Sequence, residues 1–228
     1  SSQVDHPSPD SWLSKWQAAG LFDWEHRCLG ISLEESCKRL TAQHGYFDNN
    51  RLMVSSVWHY VFSADGTVAI TISVEVSKST PALPRVGAAL RLLKDPGQIS
   101  WLGRGPHENY PDRKHSAVIG QWTQSTPDMH TPYIFPSENG LRCDVTKARI
   151  GRVLIQGEFL FGVSQYSTKQ LMEAQHEYEL VPEGGLFINI DGFHMGVGGD
   201  DSWSPSVKPR YQLTSPIYRW SFSLGPST

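Results

Sequence analysis

The sequence is short of cysteine, and its three thiols, Cys28, Cys37 and Cys143, are odd in number. Their spacing matches no metal-ligand pattern, so neither a disulfide framework nor a zinc knuckle is expected. A reducing, cytoplasmic compartment with ordinary thiols follows. Basic residues are not in excess: 20 Lys and Arg stand against 23 Asp and Glu, for a formal charge of −3. A nucleic-acid partner would want a basic face, and none is implied. No apolar run approaches the roughly 20 residues of a spanning helix, so no membrane role is read from the chain. The first ten residues, "SSQVDHPSPD", have neither the charged start nor the apolar middle of a signal peptide. They read as a loop left from a longer parent chain. Also missing are a Gly-x-Ser-x-Gly elbow for a serine nucleophile, an internal repeat, and a Ser/Gly/Pro linker that would divide the 228 residues. One domain over 1–228 is expected.

What the chain does have is 20 glycines, 15 prolines and 25 aromatic residues (8 Trp, 8 Tyr, 9 Phe). That composition suits many short strands joined by tight turns. In "SVWHYVFSADGTVAITISVEVS", Trp58, Tyr60 and Phe62 alternate with Val57, His59 and Val61. "SADG" then supplies a turn, and Val68, Ile70, Ile72, Val74 and Val76 alternate with small or polar residues. This is a hairpin with one strongly apolar face. Further strands are expected at 84–93, 97–102, 152–166, 170–180, 185–191 and 208–224. "DSWLSKWQAAG" is the clearest helix, with Asp10 or Ser11 as N-cap and Gly20 as its stop. "SLEESCKRL" at 32–40 is helical by propensity, although strand pairing could override so short a segment. The fold class is all-β, a sandwich.

Candidate chemistry is sparse. A glycosidase needs two carboxylates across a sugar, and the sequence offers Glu108 with Asp112, or Asp200 with Asp201. Carboxylates beside Gly and Pro more often accept backbone N–H bonds in turns, and we read "PHENYPDR" as structural, with Asn109, Asp112 and Arg113 knitting a loop by hydrogen bonds and an ion pair. His107 with His115, or His130 alone, lacks the partners that would converge on a metal; none is expected. Most aromatic side chains, Trp58, Trp101, Tyr218 and Trp220 among them, fall in alternating strands and read as core. Trp203 differs. It follows "GGDD" and precedes Ser-Pro, which places an indole on a loop flanked by hydrogen-bond acceptors, a platform for the apolar face of a sugar.

Four stretches in this order, "LGRGPHENYPDR", "TPYIFPSENGLR", "YSTKQLMEAQHEYEL" and "FINIDGFHMGVGGDDSWSPSV", resemble the C-terminal small-chain domain of the long bacterial β-galactosidases of glycoside hydrolase family 2, the enterobacterial type in particular. The resemblance runs from about Trp12 to about Leu224, and more loosely over 21–55. It implies a supersandwich of two large antiparallel sheets, shared with galactose mutarotases. It also implies that the catalytic glutamates, and the magnesium and sodium ligands, belong to a TIM-barrel domain absent from this chain, within a parent that is a homo-oligomer. Trp203 would then form a wall of the galactoside pocket, with Gly198, Gly199, Asp200 and Asp201 shaping its loop. Catalytic residues and cofactors are expected to be absent here. Two other functions compete: a free-standing aldose mutarotase, for which His107, Glu108, Glu138 and His194 are the available acids and bases, and a non-catalytic carbohydrate-binding subunit.

Overall fold

The computed structural model describes residues 11–34, 38–198 and 207–227. After helix α1 (Trp12–Ala18) come β1 (Glu25–Leu33), β2 (Arg39–Asp48), β3 (Arg51–Phe62), β4 (Val68–Val76), β5 (Arg85–Leu92), β6 (Gln98–Gly105), β7 (Val118–Ser125), β8 (Arg142–Ile150) and β9 (Val153–Ser164). Helix α2 (Thr168–Glu173), β10 (Leu186–His194) and β11 (Ile217–Pro226) complete the order.

All strand pairings are antiparallel, along the path β1-β2-β3-β4-β11-β9-β8-β6-β7, with β10 joining β9 to β5. The two layers expected from the resemblance are present, but they are not separate sheets. Strand β9 belongs to both: Val153 to Gly157 pair with β11, and Leu160 to Ser164 pair with β10. The change of partner occurs at Gly157, whose φ of 144° and whose approach to the Ser221 carbonyl, 2.9 Å from where a Cβ would lie, exclude any side chain.

Alternation sets the core as the sequence predicts. Ile70, Ile72 and Val74 of β4, with Tyr218, Trp220 and Phe222 of β11, face Val86 and Ala88 of β5, Ile99 and Trp101 of β6, and Leu186, Ile188 and Ile190 of β10. Each such aliphatic or aromatic side chain contributes about 1.5–3 kcal/mol when removed from water. Trp58 is half-buried and packs against this core. The β3–β4 turn closes with the Thr67 N–H donating to Asp65 Oδ1 at 2.9 Å and Gly66 at φ 84°.

Three expectations change. Residues 170–180 are not a strand: α2 and a 3₁₀ turn over Glu177–Glu179 occupy them. Ser167 caps α2 by accepting from the Gln170 N–H, and Thr-Lys-Gln-Leu-Met-Glu buries Leu171 without alternation. The helical propensity of 32–40 loses to pairing, since Leu33 and Leu40 face each other across the β1–β2 ladder; residues 35–37 lie outside the described set. The strand expected at 208–224 begins only at Ile217, after a 3₁₀ turn over Pro209–Tyr211, because Pro209 and Pro216 cannot donate to a ladder. The half-exposed β7 and the charged β8 escaped the sequence reading.

Candidate functional site

Strand β10 ends at His194, and the chain then runs into the Gly-rich segment. Trp203, Gly199, Asp200 and Asp201 lie outside the described residues, so the site is built from the two ends that carry them. On the near side, Met195 N–H donates to the Pro84 carbonyl and Gly196 N–H to the Tyr211 carbonyl, both at 2.9 Å. On the far side, the Val207 carbonyl accepts from Gln212 Nε2 at 2.7 Å. Met195 and Val207 are buried in one small apolar cluster with Ala82, against which Trp12 and Trp16 of α1 pack. Trp16 Nε1 donates to the Ala82 carbonyl at 2.8 Å. The N-terminal helix therefore presses on both feet of the loop at once.

The clamp is completed by "PHENYPDR". Tyr110 and Arg113 close a turn around Pro111, with the Arg113 N–H donating to the Tyr110 carbonyl at 2.8 Å. This aims Asp112 and Arg113 at the loop. Asp112 Oδ1 accepts from the Val197 N–H at 3.1 Å, and Oδ2 from the Gly198 N–H at 2.8 Å. Arg113 Nε and Nη2 both donate to the Gly198 carbonyl, at 2.9 and 2.7 Å. Gly198 has a φ of 68°, and its amide and carbonyl are thus held by adjacent side chains. At Gly196 a Cβ would lie 2.5 Å from Asp112 Oδ2. The hydrogen bonds expected of this motif are present, but the ion pair expected between its members is not. Asp112 and Arg113 turn to the loop instead, because an amide pair and a carbonyl there would otherwise be unsatisfied.

The remaining sequence candidates are engaged structurally. Glu108 accepts from the Gly140 N–H at 2.8 Å and from the Tyr133 hydroxyl. Burial and that hydrogen bond push the Tyr133 phenol up to about 12. Asn109 Oδ1 accepts from the Cys143 N–H at 2.8 Å, and its Nδ2 donates to the His107 carbonyl at 3.0 Å. Burial pushes the Cys143 thiol up to about 12, which removes it as a nucleophile. His107 lies 3.0 Å from Ser116 Oγ, and His130 lies 2.8 Å from Glu177. Glu138 pairs with Arg85, which also holds the buried Asp191 through Nε and Nη2. Sequence reading missed Arg85 and Asp191, whose separation of 106 positions gives no local signal. Among the described residues no three His, Cys, Asp or Glu side chains gather to hold a metal, and no helix is long and apolar enough to cross a membrane.

His194 sits directly at the foot of the loop, with Nδ1 donating to the Met195 carbonyl at 2.6 Å. Burial, and after it the Arg85 charge, holds its imidazole down at about 4. An unfolded histidine titrates near 6.5. Between these values the unfolded chain binds the extra proton, so stability is full above about pH 6.5 and falls as pH drops toward 4. Urea titration at pH 7 and pH 5 should show a loss of about 2 kcal/mol from this group, and His194→Asn, which keeps a donor for Met195, should lose less. Equal acid sensitivity in the variant would assign the effect elsewhere.

Comparison with known proteins places the chain. Residues 3–224 match the family model described as beta galactosidase small chain. A beta-galactosidase of Aeromonas hydrophila subsp. hydrophila is 45% identical over 224 residues, covering 96% of this chain and 22% of that protein. One from Yersinia pestis bv. Antiqua is 43% identical over 221 residues, covering 96% and 21%. The chain thus spans about a fifth of the length of these relatives. Among solved structures, an Escherichia coli K12 protein described as a putative aldose 1-epimerase is similar at 10% identity and a TM-score of 0.45, over 89% of this chain and 68% of that one. A GalM/aldose epimerase homologue from C. elegans is similar at 9% identity and the same TM-score, over 90% and 68%. The match over nearly its whole length, with two relatives above 40% identity, means that this chain belongs to the beta galactosidase small chain family.

Proposed function

We propose that the chain is the C-terminal domain of a β-galactosidase, an enzyme hydrolysing terminal non-reducing β-D-galactosides, and that it finishes the sugar pocket without performing the chemistry. The observation that carries this reading is the clamp. Asp112, Arg113 and the Met195–Val207 cluster hold Val197, Gly198, Met195 and Val207, the described residues on either side of the segment that contains Trp203. A glycine-rich segment tied at its feet suits presentation of an indole to a neighbouring domain. The division of labour agrees with the state of the carboxylates: Glu108, Asp112, Glu138 and Asp191 are each committed to backbone amides or to Arg85. Hydrolysis by a carboxylate pair then falls to a TIM-barrel domain of the same polypeptide, which also brings the magnesium and sodium ligands. Gly198, at φ 68°, has the backbone freedom that such a loop needs, and Gly199, Asp200 and Asp201 continue the segment outside the described residues. The free thiols Cys28 and Cys143 suit a reducing cytoplasm, and the assembled enzyme is a homo-oligomer.

The test is Trp203→Ala in the complete enzyme. An indole face on a pyranose is worth about 1–2 kcal/mol, so KM and the constant for a competitive galactoside inhibitor should each rise roughly 5- to 30-fold, with the melting temperature unchanged. An unaltered KM and inhibitor constant would remove Trp203 from the pocket. The chain alone should not hydrolyse a nitrophenyl galactoside; turnover that persists in protein made without a host enzyme would refute the division of labour.

A further inference from the structure

Away from the clamp, β1 and β2 bring two imidazoles together. In the ladder His26 faces Tyr46 and Cys28 faces His44, so His26 and His44 are diagonal neighbours on one sheet face. Their rings lie 5.0 Å apart, and His26 Nε2 is 3.0 Å from His44 Nδ1. The rings are braced: Tyr46 stacks on His26 at 4.9 Å, and Trp58 meets His44 edge-on at 6.3 Å. The pair is solvent-accessible, with His26 exposed and His44 half-buried. We propose that His26 Nε2 and His44 Nδ1 form a binding site for a tetragonal divalent transition-metal ion of the Cu²⁺ or Ni²⁺ class, independent of any role in galactoside hydrolysis.

The geometry selects the ion. Two nitrogens 3.0 Å apart share a proton along the line joining them; a cation bound to both sits off that line, each ring turning by about 40° so that its lone pair points at the ion. With metal–nitrogen bonds of about 2.0–2.1 Å, that separation subtends about 95° at the metal, close to the right angle between adjacent tetragonal positions. A tetrahedral zinc site would want the nitrogens about 3.3 Å apart. Imidazole ligands in a tetragonal arrangement favour Cu²⁺ and Ni²⁺, and Cu²⁺ leads the first-row affinity order. Binding needs both lone pairs, so the ring that donates the shared hydrogen bond moves its proton to its other nitrogen and no net proton is lost from the neutral pair. Water fills the remaining positions, since no third His, Cys, Asp or Glu side chain converges among the described residues. Cys28, though on the same face, turns its Sγ toward the Gly30 carbonyl at 3.9 Å, and Glu25 is taken by Arg27.

The experiment is a Cu²⁺ titration followed by electron paramagnetic resonance, in a Cys28→Ser, Cys37→Ser background that removes thiols able to reduce or capture the ion. The tightest site should hold one Cu²⁺ per chain and show hyperfine coupling to two imidazole nitrogens. His26→Ala and His44→Ala should each weaken it at least about tenfold, one decade being 1.4 kcal/mol, and reduce the coupling. His59→Ala, whose ring is bonded to Thr41 Oγ1 at 3.0 Å, should leave it unchanged. Should either alanine variant melt differently, His26→Gln and His44→Gln keep polar bulk and should show the same loss. Wild-type affinity in the His26 and His44 variants, or no bound Cu²⁺ in the background protein, would overturn the proposal.

Discussion

Gly87→Ala is expected to destabilise the chain by roughly 3–5 kcal/mol, the cost of breaking a buried charge pair by displacing one partner. Gly87 of β5 faces Asp191 of β10, and a Cβ there would lie 1.9 Å from Asp191 Oδ1 and 2.8 Å from its Cα. The carboxylate cannot step aside freely. It is 2% exposed and bound to Arg85 at 2.7 Å, so moving it leaves a guanidinium facing Glu138 alone. For a chain of this size, 1 kcal/mol shifts the melting temperature by about 2–4 °C, and calorimetry should record a fall on the order of 10 °C. Asp191→Ala removes the carboxylate from the collision but not the Cα, so the glycine substitution should cost less on that background without becoming free. A melting temperature within 2 °C of the parent after Gly87→Ala alone would contradict this account of the β5–β10 contact.

Asp112→Asn should separate the clamp from the rest of the fold. The substitution keeps shape, yet Asp112 gives one oxygen to the Val197 N–H and the other to the Gly198 N–H. An asparagine has a single acceptor, and its amide nitrogen would meet an N–H donor, so one bond is lost and a repulsive contact appears. Hydrogen bonds to charged groups are worth about 1.5–3 kcal/mol, and a loss of about 2 kcal/mol in urea unfolding is expected. In the complete enzyme the loop would also lose its fixed path, so KM for a galactoside should rise with Asp112→Asn, as it should with Trp203→Ala. Unchanged unfolding free energy would sink the clamp; lowered stability with unchanged KM would keep the clamp and detach it from the sugar pocket. Arg113→Lys is the companion test, since one ammonium cannot reproduce the forked contact of Arg113 with the Gly198 carbonyl.

Much of the architecture is legible without coordinates where one face of a strand is buried. Ile70, Ile72 and Val74, or Leu186, Ile188 and Ile190, alternate because every second side chain enters the core. Helix α1 reads from Ser11 and Gly20, since capping and stop signals are local. The reading fails where a local signal is passed over or where competition is decided elsewhere in the chain. Residues 170–174, Gln-Leu-Met-Glu-Ala, are helix formers, and with Ser167 as cap Thr168–Glu173 form a helix rather than the expected strand. The stretch around 32–40 carries helix formers, yet β2 pairs along its length with β3 and the ladder wins.

The candidate site divides along the same line. Local chemistry in the sequence established that "PHENYPDR" is a turn rich in backbone acceptors and donors and that Trp203 follows a glycine-rich stretch; the family was legible only as a resemblance of four stretches, and the match over residues 3–224 showed it. Only the tertiary structure decided what Asp112 and Arg113 hold: not each other, but Val197 and Gly198, 85 and 86 positions away from Asp112. The same holds for Arg85 with Asp191 and for His26 beside His44. Periodicity tells which face a side chain takes, whereas its partner across the molecule is fixed by strand register and by where β9 changes neighbours, and neither is written in any local stretch of residues.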